Sequence, residues 1–128
     1  VPPAVKLAMA TRIAQVNRSP YAAAHMTRLL RAAGPEGTSL LARLQANQVE
    51  QLPAAERLAL RWAELQTVDI YGMSDEEFRQ LRGWYSDAEV VELTFTVCFF
   101  NYFSRMVEGL GLPVESWVLD PASTPAVP

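Results

Sequence analysis

The sequence predicts an all-α domain of about six helices joined by short links. Three observations carry that expectation. Apolar residues recur at three- and four-residue spacing along most of the chain. Helix-start signals recur between those stretches: a Ser-Pro step and two capping boxes. No segment of useful length alternates apolar and polar residues in the way a half-buried strand does.

The first helix opens at Pro2-Pro3 and is expected to run to about Val16, with Val5, Leu7, Met9, Ile13 and Val16 as its apolar positions. Asn17-Arg18 breaks it. Ser19 reads as an N-cap with Pro20 in the first turn, where the missing N–H costs nothing. That second helix should run from Pro20 to Ala33 and stop at Gly34-Pro35. A third, about Thr38 to Gln48, carries Leu40, Leu41 and Leu44 on one side. The fourth opens at Pro53 and reaches about Thr67, with Leu58, Trp62 and Leu65 at helical spacing. Ser74 with Glu77 and Ser86 with Glu89 are capping boxes that open helices over about Asp75–Trp84 and Asp87–Leu110. The last helix is apolar nearly all round, which predicts that it is central in the fold or buried between subunits. Gly109 and Gly111-Leu112-Pro113 end it. The domain is read as residues 1–119, and 120–128, rich in Pro and Ala, as a flexible tail.

A chain of 128 residues, half of them hydrophobic, suits one domain with one core. The net charge is −3, and the arginines are interleaved with glutamates, a pattern of solvated helix faces. That argues against a nucleic-acid partner, which needs a basic face. The longest uncharged apolar run, Leu93 to Ser104, is too short for a membrane span of roughly 20 residues. No leader pattern is read at Val1-Pro2-Pro3, and the single cysteine, Cys98, fits a reducing compartment, so a cytoplasmic location is expected. One His and one Cys make no metal constellation, so no metal or other cofactor is expected.

The order of segments resembles the carboxymuconolactone decarboxylase superfamily, which includes alkylhydroperoxidase D. The stretch that carries the resemblance is LPAAERLALRWAELQT, then MSDEEFRQLRGWYSDAEVVELTF, then FFNYFSRMVEGLGLP. It combines a helix opened by Pro and Glu, two capped helices, and an Asn101/Arg105 pair before Gly-Leu-Pro. The segment RIAQVNRSPYAAAHMTRLLRAAG is similar to the family's active-site segment, which in the redox branch holds a general-base Glu, Cys-x-x-Cys and a His. This chain departs from that pattern. The cysteine positions fall on Ser19 and Ala22, the Glu on Leu7 and the His on Met26, with His25 beside it. A hydroxyl and a methyl group cannot run dithiol chemistry, so dithiol peroxidase activity is expected to be absent.

His25, the only histidine, and Tyr21, one turn before it, are the candidate catalytic residues: His25 as the proton-transfer group and Tyr21 as a donor to a ligand oxygen. The structural alternative for His25 is a packed helix histidine, and Tyr21's is a packing residue. Arg12, Asn17, Ser19 and Arg105 are candidate substrate-binding residues. Ser19 is also fully explained as an N-cap, and Arg12 and Asn17 as residues closing the first helix. Arg105 could tie helices together through Glu64, Glu89 or Glu92. Cys98, in the most apolar helix, reads as an inert thiol.

The resemblance implies a homo-oligomer and leaves three functions open. The first is thiol-independent acid–base chemistry (decarboxylation, isomerisation or lactone opening) on a small organic acid or lactone. The second is a catalytically inactive scaffold or small-ligand-binding protein. The third, behind these, is a residual peroxidase role.

Overall fold

A computed structural model describes residues 1–120. Among these residues the chain is all-helical, with six α-helices and no strand. Of the expected tail, 120–128, only Asp120 is described, and its carbonyl accepts from Arg28 at 3.0 Å; residues 121–128 lie outside the described residues. The helices are α1 (Pro3–Val16), α2 (Pro20–Arg31), α3 (Gly34–Gln45), α4 (Ala54–Val68), α5 (Asp75–Trp84) and α6 (Asp87–Gly109). Short 3-10 turns occupy Val49–Gln51 and Ser116–Leu119.

The start signals work as the sequence implies. Ser19 accepts from the Ala22 amide. Ser74 and Ser86 each accept from the third residue of their helix, and Glu77 and Glu89 return the bond to the cap amide, so two orphan donors are satisfied at each end. Gly34-Pro35 is a stop and also a start. Gly34 has a φ of 84°, which ends the chain direction of α2, and Pro35 then sits in the first turn of α3. The third helix therefore begins four residues earlier than the Leu pattern suggests and ends at Gln45. Gly37 in α3 lies against α2, where an added Cβ would meet the Leu30 carbonyl oxygen at 2.1 Å.

Arg18 closes α1 with a φ of 52°. The Ser19 amide returns to the Ala14 carbonyl at 2.9 Å, the reversal of a Schellman turn. This turn places the N-terminus of α2 close to its predecessor, and the two helices pack together.

The centre of the domain is α1, not α6. Helix α1 packs against α2, α3, α4 and α6. Its Ala4, Ala8, Ala10 and Ala14 are small enough to admit four neighbours, while Met9 and Ile13 are fully buried among them. Helix α6 contributes Leu93, Thr96, Val97, Ser104 and Val107 to the interior. The opposite face is open: Val91, Phe95, Phe99, Tyr102 and Met106 are exposed. The expected all-round burial of α6 is thus met on one side only in the single chain. Tyr85 is buried and donates to the Ala55 carbonyl, joining the start of α4 to the α5–α6 corner. Trp84 is exposed instead, whereas Trp62 and Phe78 pack ring against ring, tilted by 38°, at the edge of the core.

Candidate functional site

Ser19 caps α2, so residues 21 and 25 project from the first two turns of that helix on one side. Tyr21 and His25 are stacked, ring centroids 4.5 Å apart. The chain beyond α6 then folds back over this helix. Gly111, with a φ of 63°, reverses the backbone, and the Leu112 amide returns to the Val107 carbonyl. Glu115 and the turn Ser116–Leu119 follow and pack on α2.

Glu115 meets both rings. One carboxylate oxygen accepts from the Tyr21 hydroxyl at 2.6 Å, and the other lies 2.8 Å from His25 Nε2. Trp117 presses on His25 edge-to-face at 5.7 Å, and Arg28 lies over the Trp117 ring at 5.5 Å. Val118 is buried beneath the turn. The Tyr21 hydroxyl, the Glu115 amide and His25 together hold the Glu115 carboxyl down to about 2. The same hydrogen bond keeps Tyr21 protonated by pushing its phenol above the ordinary 10. Tyr21 is therefore a donor to Glu115, and its proton is committed there.

A carboxylate on Nε2 sets the tautomer of a neutral imidazole. Nε2 carries the proton and donates it to Glu115, which leaves the Nδ1 lone pair for proton abstraction. Among the described residues no hydrogen bond engages Nδ1.

A second carboxylate, Glu108, sits at the N-terminus of α2. It accepts from the Ser19 hydroxyl at 2.8 Å and from the Tyr21 amide at 3.2 Å, where the helix dipole favours an anion. Glu108, Asn17, Ser104, Arg105 and Gly109 line a cleft of about 440 Å³. Neither Tyr21 nor His25 is in its wall. Ala23, Ala24, Thr27, Arg28, Arg31, Val118 and Leu119 line a smaller recess of about 310 Å³ along α2.

The remaining sequence candidates are placed as follows. Ser19 is 1% exposed, so its hydroxyl serves the cap and Glu108. The Arg12 Nε donates to Glu64 at 2.5 Å, which joins α1 to α4. Asn17 donates to Asn101, and Asn101 donates onward to Thr67, joining α1, α6 and α4. Arg105 is exposed and bonds Asn101 through Nη1, so it pairs with none of Glu64, Glu89 and Glu92. Glu64 is taken by Arg12 and Glu92 by Lys6. Cys98 is exposed rather than sheltered in an apolar helix. The side chains gathered here are thus Tyr21 and His25, with Asn17 and Arg105 at the neighbouring cleft and Arg12 tied elsewhere.

Sequence reading misses Glu115, Glu108 and Trp117. Glu115 lies 90 positions from His25 and outside any helix pattern, so no spacing rule connects them. The one available hint is that Glu108 and Glu115 bracket the Gly-Leu-Pro helix end, where the chain must turn back.

Among the described residues, no group of three His, Cys, Asp or Glu side chains could hold a metal ion, and no helix is long and apolar enough to cross a membrane. No protein-family model matches this chain, and no curated protein sequence matches it.

Proposed function

We propose that the chain is a thiol-independent protein of the carboxymuconolactone decarboxylase type, in which His25 moves a proton on a small organic acid or lactone. One observation carries the reading: Glu115 bridges the Tyr21 hydroxyl and His25 Nε2. This arrangement fixes the imidazole in one tautomer and orients Nδ1, the requirements for a general base. Tyr21 is the positioning residue that holds Glu115. Once Nδ1 has taken a proton, the imidazolium stands beside a carboxylate that remains ionised at neutral pH. The same N–H can return the proton to a neighbouring carbon or oxygen, so isomerisation, lactone opening and protonation after loss of carbon dioxide share one acid–base cycle. What supports the family part of this reading is the order of segments in the sequence, from Leu52 to Pro113. A homo-oligomer belongs to the same reading.

A second reading is favoured by a different observation. Tyr21 and His25 lie outside the wall of the Arg105 cleft. In that case Glu115, Trp117 and Val118 clasp the C-terminal turn onto α2, and the protein binds or assembles without turnover. The two readings separate in one experiment on native protein with small lactones, aromatic acids and unsaturated dicarboxylates. Product that disappears in His25→Ala and falls by roughly 10²-fold or more in Glu115→Gln, while both variants stay folded, supports acid–base chemistry. Absence of product with every compound, with only stability altered in the variants, supports the clasp.

A further inference from the structure

The exposed side of α6 is continuous and apolar. Ala88, Val91, Phe95, Cys98, Phe99, Tyr102 and Met106 follow one another at helical spacing along one face, all exposed. The buried residues Leu93, Val97, Ser104 and Val107 occupy the opposite face. Side chains this large cost free energy in water, roughly 25 cal/mol for each Å² left uncovered, and they form one patch rather than scattered positions.

The charges bordering the patch say what covers it. Asp87 and Arg105 are five helical turns apart at about 3.6 residues per turn, so they lie on the same edge of α6, one at each end of the apolar run. Both are exposed, with the Asp87 side chain at 81%. Asp87 is bound to Arg82 and Arg105 to Asn101, and each retains lone pairs or N–H groups directed to solvent. When a helix pairs with its own copy about a two-fold axis in antiparallel fashion, each edge faces the same edge of the partner with its ends reversed. Arg105 of one copy then meets Asp87 of the other, twice in the pair. In a parallel two-fold pair the edge that carries Asp87 and Arg105 faces the opposite edge of the partner, so the two residues do not meet across the seam. The apolar run is also nearly symmetric about its middle at Thr96 and Val97, which an isologous contact requires.

We propose that two copies of this chain pair through the open face of α6 in an antiparallel two-fold arrangement, Phe95, Phe99 and Tyr102 filling the seam and Asp87–Arg105 pairs closing its ends. This contact is independent of the chemistry assigned to His25. It brings a second copy beside the cleft lined by Arg105 and Glu108.

Sedimentation equilibrium of the full chain at micromolar concentration tests the stoichiometry. The expected mass is about 28 kDa, twice the chain's 14.2 kDa. Phe95→Glu combined with Tyr102→Glu should yield a monomer with unchanged helical circular dichroism, because both side chains point outward. Arg105→Glu should weaken pairing at low salt by at least about fivefold. Adding Asp87→Lys in the same chain should recover the affinity. A monomeric native protein, a larger ring, or a double charge variant that pairs no better than Arg105→Glu overturns the proposal. The swap is decisive even where Asp87→Lys lowers overall stability, provided circular dichroism shows the helices intact.

Discussion

Tyr21 and Glu115 stand 94 positions apart in the chain and 2.6 Å apart at their oxygens. That bond joins the first turn of α2 to the segment that returns after α6, and it sets the ionisation of both partners. The carboxylate becomes harder to protonate and the phenol harder to ionise, since each prefers the form that keeps the hydrogen bond.

Tyr21→Phe removes the largest contribution to the low Glu115 value. The Glu115 carboxyl should then titrate well above about 2, moving toward the ordinary 4.5. Carbon-detected NMR of the side-chain carboxyls across an acid titration measures it. An unmoved Glu115 would show that the Tyr21 hydroxyl does not hold it.

The same shift predicts a pH dependence. Glu115 titrates lower in the fold than in the unfolded chain, so its contribution to stability is present above about 4.5 and is lost as pH falls toward about 2. Thermal melts of native protein and Glu115→Gln should diverge above pH 4.5 and converge by pH 2. Parallel curves across that window would refute the linkage.

Arg18 holds a left-handed backbone conformation with its side chain in solvent. Glycine adopts that conformation without the Cβ clash, so Arg18→Gly should stabilise the protein by about 0.5–1 kcal/mol. Urea unfolding checks the sign. A loss of stability would mean that the Arg18 side chain contributes more than the turn costs.

Leu93 and Val91 sit two residues apart on opposite faces of α6, with Leu93 at 0% and Val91 at 68% exposure. Leu93→Ala should cost about 2–5 kcal/mol through the cavity it leaves. Val91→Ala should change the stability of the single chain by less than about 0.5 kcal/mol. Chemical denaturation of both variants at low protein concentration, where pairing does not contribute, distinguishes the two faces.

The parts of the fold legible in sequence are those decided locally. Ser74, Ser86 and Ser19 mark helix starts because each cap is satisfied within three residues of itself. Gly34-Pro35 was readable as a break, but a break does not say whether the next helix begins at once; it does, because the left-handed glycine turns the chain and the proline is already in helical geometry. The facing of α6 was not legible. Its apolar residues surround the axis, and the packing of α1, α4, α2 and α5 decides which of them are covered within one chain. In the site, Tyr21 and His25 were legible as a one-turn pair. Glu115 was not, because its contact depends on a reversal at Gly111 and on nothing periodic. Arg105 departs from expectation for a related reason: an arginine expected to tie helices through a glutamate sits instead at the exposed edge of α6, bonded to Asn101 one turn away.

The most direct test of the central claim is turnover by native protein, His25→Ala and Glu115→Gln on a panel of small lactones and unsaturated acids, with product identified by mass. The account predicts that native protein converts at least one compound, that His25→Ala abolishes conversion, and that Glu115→Gln lowers kcat by roughly 10²-fold or more as the imidazole loses its oriented tautomer. Conversion that persists undiminished in His25→Ala, or no conversion of any compound by folded native protein, would contradict it.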